Sequence, residues 1–160
     1  MAKEDFIFFW GGVYSQWYRS EFEIDGITYN TAEQYMMAKK ALLFNDSDAY
    51  NEIMLEKNPA LQKAIGRTVR GFNGDEWNKH CKQYVYDANF AKFTQNPKLY
   101  GVIIATGDKE FVEASPEDKI WGIGLVDTDS KAWDKETWEG TNWLGEAITK
   151  VRNALIAELE

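Results

Sequence analysis

Thr31-Ala-Glu-Gln-Tyr-Met-Met-Ala-Lys-Lys-Ala-Leu-Leu-Phe44 opens in the form of a capping box and runs on without a glycine or proline. Thr31 is placed to accept from the backbone amide of Gln34 while the Gln34 side chain reaches back, so a helix begins there and extends to about Phe44. Further helices are expected at Ser47 to Lys57, at Pro59 to Ile65 with Pro59 as first helical residue and Gly66 past the end, and from Asp75 to about Phe93. Upstream, Phe6 to Trp10 is a β-prone aromatic run stopped by Gly11-Gly12, and Phe22 to Ile24 faces Ile27 to Tyr29 across the hairpin turn signal Asp25-Gly26. Downstream, Gly101 to Ala105 and Phe111 to Ala114 read as paired strands around Thr106 to Lys109, with Ile120 to Val126 as a third. After Asn142, Leu144, Ile148, Val151, Leu155 and Leu159 recur at helical intervals and predict a C-terminal amphipathic helix. Because strands and helices are segregated, the expected class is helix-rich α+β with a small β region.

The chain has 160 residues, no repeat and no low-complexity tract, which predicts a single domain spanning 1–160. Apolar residues make up 44% and aromatic residues 15%, enough to offset the entropy of ordering the chain. Eighteen Lys and Arg against 26 Asp and Glu leave a net charge of −8. A long duplex is then repelled on average, so nucleic-acid contact has to be local. Cys81 is the only cysteine and His80 the only histidine, which disfavours disulfides, multi-ligand metal centres and nucleophile–histidine systems. The expectation is a protein with no metal and no cofactor. The polar start, Met1 to Asp5, and the lack of an apolar run near the roughly 20 residues of a membrane span predict a soluble, cytoplasmic protein.

Carboxylates, lysines, amides and rings are left to do the chemistry. Glu33 and Lys40 stand seven residues apart on the helix opened by Thr31, which puts them about 20° apart around it and about 10 Å apart along it. Met37 lies between them, so their stripe is not clearly the solvated one; the plain alternative is an ordinary surface pair. Asp118-Lys-Ile-Trp-Gly-Ile-Gly124 sets a carboxylate before an indole and two glycines that permit close approach to a ligand. A turn aspartate, a core tryptophan and a β-bulge are the competing account. Trp138-Glu-Gly-Thr-Asn142 adds a ring, Gly140 and an amide ahead of the last helix, where free N–H groups favour an anion; helix capping is the alternative for Asn142. Ser15, Gln16 and Trp17 suit stacking and edge recognition of a base, although packing alone accounts for the rings. Arg67 and Arg70 suit phosphate, with a surface salt bridge as the other reading. Asn89 to Asn96, with Lys92 and Phe93, is a weaker local signal, and no Walker or dinucleotide glycine fingerprint is present.

Tyr14-Ser-Gln-Trp-Tyr18, Thr31 to Ala41, Gly66-Arg-Thr-Val-Arg70, Lys92-Phe-Thr-Gln-Asn96, Val112 to Asp118, Trp121-Gly-Ile-Gly124 and Trp138 to Gly145, in that order, resemble the NADAR family, also called YbiA-like. The similarity runs from about Phe8 to Arg152. It implies the YbiA-like fold and an N-glycosidase acting on ribose phosphates. Two substrate classes follow from it: ADP-ribose attached to guanine in a nucleotide or single-stranded nucleic acid, and ribosylamino pyrimidine phosphates early in riboflavin synthesis. By that resemblance Glu33 and Asp118 are active-site carboxylates and Lys40 is the lysine that captures the anomeric carbon. It also makes Trp121, Trp138 and Asn142 pocket residues and Arg67 and Arg70 candidates for the phosphate side; Tyr35, Gly122 and Gly140 are expected to bind substrate alongside them. Gln34 stands where many relatives have histidine.

The implied chemistry fits the inventory. Breaking a ribose–nitrogen bond builds positive charge at the anomeric carbon, which a carboxylate stabilises, while the departing base needs a proton. A lysine nucleophile must be neutral; burial favours that form and an ionised Glu33 opposes it, so spacing leaves the sign open. A binding module for NAD or ADP-ribose that cuts nothing is the reading from another class.

Overall fold

The computed structural model describes residues 3–160, and the chain divides into two compact units: Gln16–Asn96, and the segment through Ser15 together with Pro97–Glu160.

In the first unit, strands β2 (Phe22–Ile24) and β3 (Ile27–Tyr29) pair antiparallel with Phe22 opposite Tyr29 and Ile24 opposite Ile27. Asp25 and Gly26 both take left-handed φ, 54° and 81°, the conformation of a two-residue turn whose twist matches the strands. Helix α1 (Ala32–Leu43) follows, capped as expected: Thr31 accepts from the Gln34 N–H at 2.9 Å, and Gln34 Oε1 accepts from the Asn30 N–H at 2.8 Å, one residue earlier than the standard box. The sequence of α1 is weakly amphipathic because the helix is buried on nearly every side, packed by α2 (Ser47–Leu55), α3 (Pro59–Gly66) and α4 (Gly74–Gln95). The Gln34 Nε2 donates to Ile53 O at 3.0 Å and reaches Met54 O and Glu56 O, so this glutamine bonds carbonyls at and just past the end of α2.

Gly66 is the last residue of α3, where the sequence placed it just past the end. A Cβ there would lie 2.0 Å from Met37 Sδ, so its smallness serves the approach of α3 to α1. At the far end of α4, the Gln95 amide bonds both backbone groups of Glu23, each at 2.7 Å. That side chain satisfies the strand edge in place of a further strand.

In the second unit, β1 (Phe6–Phe9) runs parallel to β4 (Glu110–Glu113), with Phe6 opposite Glu110 and Phe9 opposite Glu113. The expected pairing of 101–105 with 111–114 is overturned: Gly101 to Ile104 belongs to helix α5 (Pro97–Ile104). Pro97 supplies a helix-compatible φ at the start, and Leu99 and Ile103, four apart, are the buried pair. A short apolar run cannot distinguish helix from strand by periodicity, and here the proline decides.

The third expected strand, 120–126, is also absent; this segment is irregular. Its backbone groups are satisfied one by one, with the Ile123 N–H donating to Glu113 O and the Glu139 N–H to Ile123 O, both at 3.0 Å. Helix α6 (Trp143–Leu159) matches the apolar spacing and packs against β4 and α5. Phe6, Val112, Ile123, Leu125 and Ala132 form the core of this unit, with Phe8, Trp133 and Trp138 against it. Buried Arg152 of α6 bonds Lys109 O and Thr106 Oγ1, fixing the turn that enters β4. No helix among the described residues is long and apolar enough to cross a membrane.

Candidate active site

Glu33 is the second residue of α1 and is buried. The positive end of the helix dipole favours its negative charge, and its backbone N–H donates to Gln16 O at 3.0 Å. Lys40 follows two turns later and is half-buried. Its Nζ lies 4.6 Å from the centroid of the Phe72 ring and 5.7 Å from that of Trp77. Burial, the largest influence, lowers the Lys40 amine below the usual lysine range; Glu33 works against that shift and Arg67 works with it. Of the two opposed influences that spacing left unweighed, burial is the larger and sets the direction of the shift.

Gln16 joins two helices of this unit. Its carbonyl receives Glu33, and its Oε1 accepts from Asn89 Nδ2 at 2.9 Å, while Asn89 also donates to Val85 O. Trp17 is 43% exposed, with Lys63 Nζ 6.0 Å from its ring. Ser15 is half-buried and ends the other unit, its N–H donating to Gly12 O at 3.0 Å. Tyr35 faces the hairpin: its ring meets Tyr29 edge-on at 4.9 Å, and burial pushes its phenol well above the ordinary range.

The two arginines differ. Arg67 is exposed at the end of α3 and reaches Lys40 electrostatically. Arg70 Nη2 pairs with Asp46 Oδ1 at 2.8 Å and Asp48 Oδ2 at 3.1 Å, and its Nε reaches Asp46 Oδ2. Buried Asp46 also caps α2, and its contacts with Arg70 hold its carboxyl far below the usual range. The salt-bridge reading describes Arg70.

In the other unit, Asp118 is half-buried and its Oδ1 accepts from the N–H groups of Ile120 at 2.9 Å and Trp121 at 2.8 Å. Such a carboxylate-closed turn positions the indole after it; Trp121 meets Trp143 edge-on at 5.6 Å. The glycines here have a packing reason. A Cβ on Gly122 would lie 2.9 Å from the carbonyls of Asp118 and Glu113, and one on Gly140 would lie 2.4 Å from Gly122 O. Trp138 rests on Phe6 and donates from Nε1 to Ala132 O at 2.8 Å.

Asn142 takes a left-handed φ of 54° and makes no side-chain cap. Its buried amide instead completes β4, accepting from the Glu113 N–H and donating to Phe111 O, both at 3.0 Å. Two of the N–H groups expected to be free at the start of α6 are engaged. Those of Trp143 and Leu144 donate to Ile120 O and Trp121 O, each at 3.1 Å, so the irregular 118–124 segment occupies the place foreseen for an anion.

Sequence reasoning underrated α4. Asn89 and Lys92 are fully buried on the face that also buries Trp77, Cys81 and Val85. Lys92 Nζ lies 5.4 Å from the Tyr18 ring and 5.1 Å from that of Phe93, and burial pushes its amine down to about 7. The readable signal was a polar pair, three apart, on an otherwise apolar helical stripe. Among the described residues, no group of three or more His, Cys, Asp or Glu side chains is arranged to hold a metal ion.

The model of the NADAR domain matches residues 8–156. The N-glycosidase R617 of Acanthamoeba polyphaga mimivirus is 40% identical over 165 aligned positions, covering 95% of this chain and 97% of the relative. The N-glycosidase YbiA of Escherichia coli (strain K12) is 28% identical, over 85% and 76% of the two chains. The solved NMR structure of the E. coli protein YbiA superposes with a TM-score of 0.79 at 27% identity, covering 97% of this chain and 88% of that one. With a family match across nearly the whole length, relatives that are N-glycosidases and a fold shared with a solved one, the chain belongs to the NADAR family and is a glycosidase of N-glycosyl bonds.

Proposed function

We propose that this N-glycosidase removes ADP-ribose from guanine, in a nucleotide or a flexible single strand, through a covalent lysine intermediate. The observation that carries the reading is the half-buried Lys40 amine, held against the Phe72 and Trp77 rings at 4.6 and 5.7 Å on the helix that also carries buried Glu33; burial lowers that amine below the usual lysine range. In the first step the bond from the anomeric carbon to the base nitrogen breaks. Its electron pair leaves with the base, which takes a proton from a general acid, and Glu33 stabilises the positive charge on the sugar. The neutral Nζ of Lys40 then bonds to that carbon and loses a proton; ring opening gives an imine. Water adds to the imine, the carbon–nitrogen bond breaks, and lysine and free ADP-ribose are regenerated.

The family resemblance implies an active-site role for Asp118 as well, as the second candidate carboxylate. Arg67 is the candidate for the diphosphate and exposed Trp17 for a base. The net charge of −8 favours a nucleotide or single strand over a duplex. The family match from 8 to 156 supports reading both units as one NADAR-like domain. Incubating the enzyme separately with guanine-linked ADP-ribose and with a ribosylamino pyrimidine phosphate, and separating the products by chromatography, tests the substrate. Release of ADP-ribose and the unmodified guanine nucleotide from the first supports the proposal; release only from the second assigns the riboflavin-type substrate; ADP-ribose binding without release from either assigns a binding module.

A further inference from the structure

Phe72 is a large apolar side chain left 48% exposed, in the loop between α3 and α4. Burial does not hold it there. Its ring meets Phe44 edge-on at 5.3 Å and carries Lys40 Nζ over its face at 4.6 Å. The loop is fixed on both sides of it: Gly71 takes a left-handed φ of 77°, and Asn73 caps α4 by accepting from the Glu76 N–H at 3.0 Å. The other ring against Lys40, Trp77, is only 8% exposed. Lys40 thus has a buried indole and an exposed phenyl ring as its aromatic neighbours.

We propose that Phe72 is the platform on which the planar leaving base of the substrate stacks beside Lys40, making it a specificity residue. The inference rests on the lysine route proposed above. An attacking nitrogen approaches the anomeric carbon to roughly 3–3.5 Å, and the leaving base is bonded to that same carbon. The base therefore departs within a few ångströms of Nζ, where the phenyl face already stands. A ring covered by the base loses exposed apolar area without any rearrangement of the core, and stacking of a base on an aromatic side chain is worth about 1–3 kcal/mol whatever the base.

The test compares wild type, Phe72→Ala and Phe72→Trp on guanine-linked ADP-ribose, with binding of ADP-ribose, which lacks the guanine, measured in parallel. Phe72→Ala is expected to raise KM by about 5- to 150-fold, the stacking range converted at 1.4 kcal/mol per tenfold. Phe72→Trp is expected to restore it, and both variants to bind ADP-ribose as wild type does. An unchanged KM in Phe72→Ala overturns the inference, as does an equal loss of ADP-ribose binding, which would assign the ring to the sugar or the fold. Failure of wild type to cleave either this substrate or a ribosylamino pyrimidine phosphate overturns the glycosidase route itself, and the inference with it.

Discussion

Helix α1 and the segment from Asp118 to Asn142 both supply candidate site residues, and they use polar groups in opposite ways. On α1 the hydrogen-bond ladder of the helix carries the backbone, and Glu33 and Lys40 take their places on it by helical spacing. In the 118–142 segment there is no regular ladder, and the polar side chains make the fold: Asp118 closes a turn, Trp138 donates to Ala132 O, and Asn142 completes β4. The difference teaches that residues of equal prominence in a family motif are placed in two ways, Glu33 and Lys40 by the helix that carries them and Asp118, Trp138 and Asn142 by their own bonds to backbone.

The largest effect expected from this contrast is on turnover. Glu33→Gln, nearly the same in shape, is expected to lower kcat by about 10²- to 10⁴-fold while leaving thermal unfolding close to wild type. An active Glu33→Gln enzyme would remove the division between the two regions. Asn142→Ala is the opposite case. It leaves the Glu113 N–H and Phe111 O without their partners inside the fold and takes asparagine from a left-handed position it tolerates well. A stability loss of about 2–4 kcal/mol in urea titration is expected; wild-type stability with weakened substrate binding would show that the amide serves the ligand instead. Gly140→Ala belongs with it, because the new methyl meets backbone on two sides, Gly122 O and Lys119.

The smallest effect is electrostatic and concerns the charges around Lys40 of α1. A lysine whose amine is lowered becomes nucleophilic as pH rises through its pKa. Arg67 lowers that value, so Arg67→Ala is expected to move the rising limb of the pH–rate profile to higher pH. Glu33 raises it, so in Glu33→Gln the pH dependence of Lys40 reactivity toward an amine-selective reagent is expected to move to lower pH. Shifts of the two variants in the same direction would contradict the assignment. Arg67 is exposed, and its effect is expected to weaken with added salt.

The helical half of the fold was legible in the sequence because its boundaries carry local chemistry: the Thr31 cap, Pro59 at the start of α3, and the Asp25-Gly26 turn. The parallel pairing of β1 with β4 had no local signature, since the partners lie about a hundred residues apart and nothing in either strand names the other. Val102-Ile103-Ile104 misled because apolar and β-branched residues suit a buried helix as well as a strand. In the site, the Glu33–Lys40 stripe followed from a spacing of seven, whereas the sign of the Lys40 shift required knowing how deeply it is buried. The acid partners of Arg70, Asp46 and Asp48, lie more than twenty residues away. The tight backbone contact between Gly122 and Gly140 has no counterpart in the residue pattern except the two glycines themselves.

The most direct measurement is borohydride trapping during turnover of guanine-linked ADP-ribose, followed by intact-mass analysis and peptide mapping. A reduced ADP-ribosyl adduct is expected on Lys40 in the wild-type enzyme and none in Lys40→Ala, which also loses turnover. Sustained release of the unmodified guanine nucleotide by Lys40→Ala, or an adduct mapping to another lysine, would contradict the lysine route.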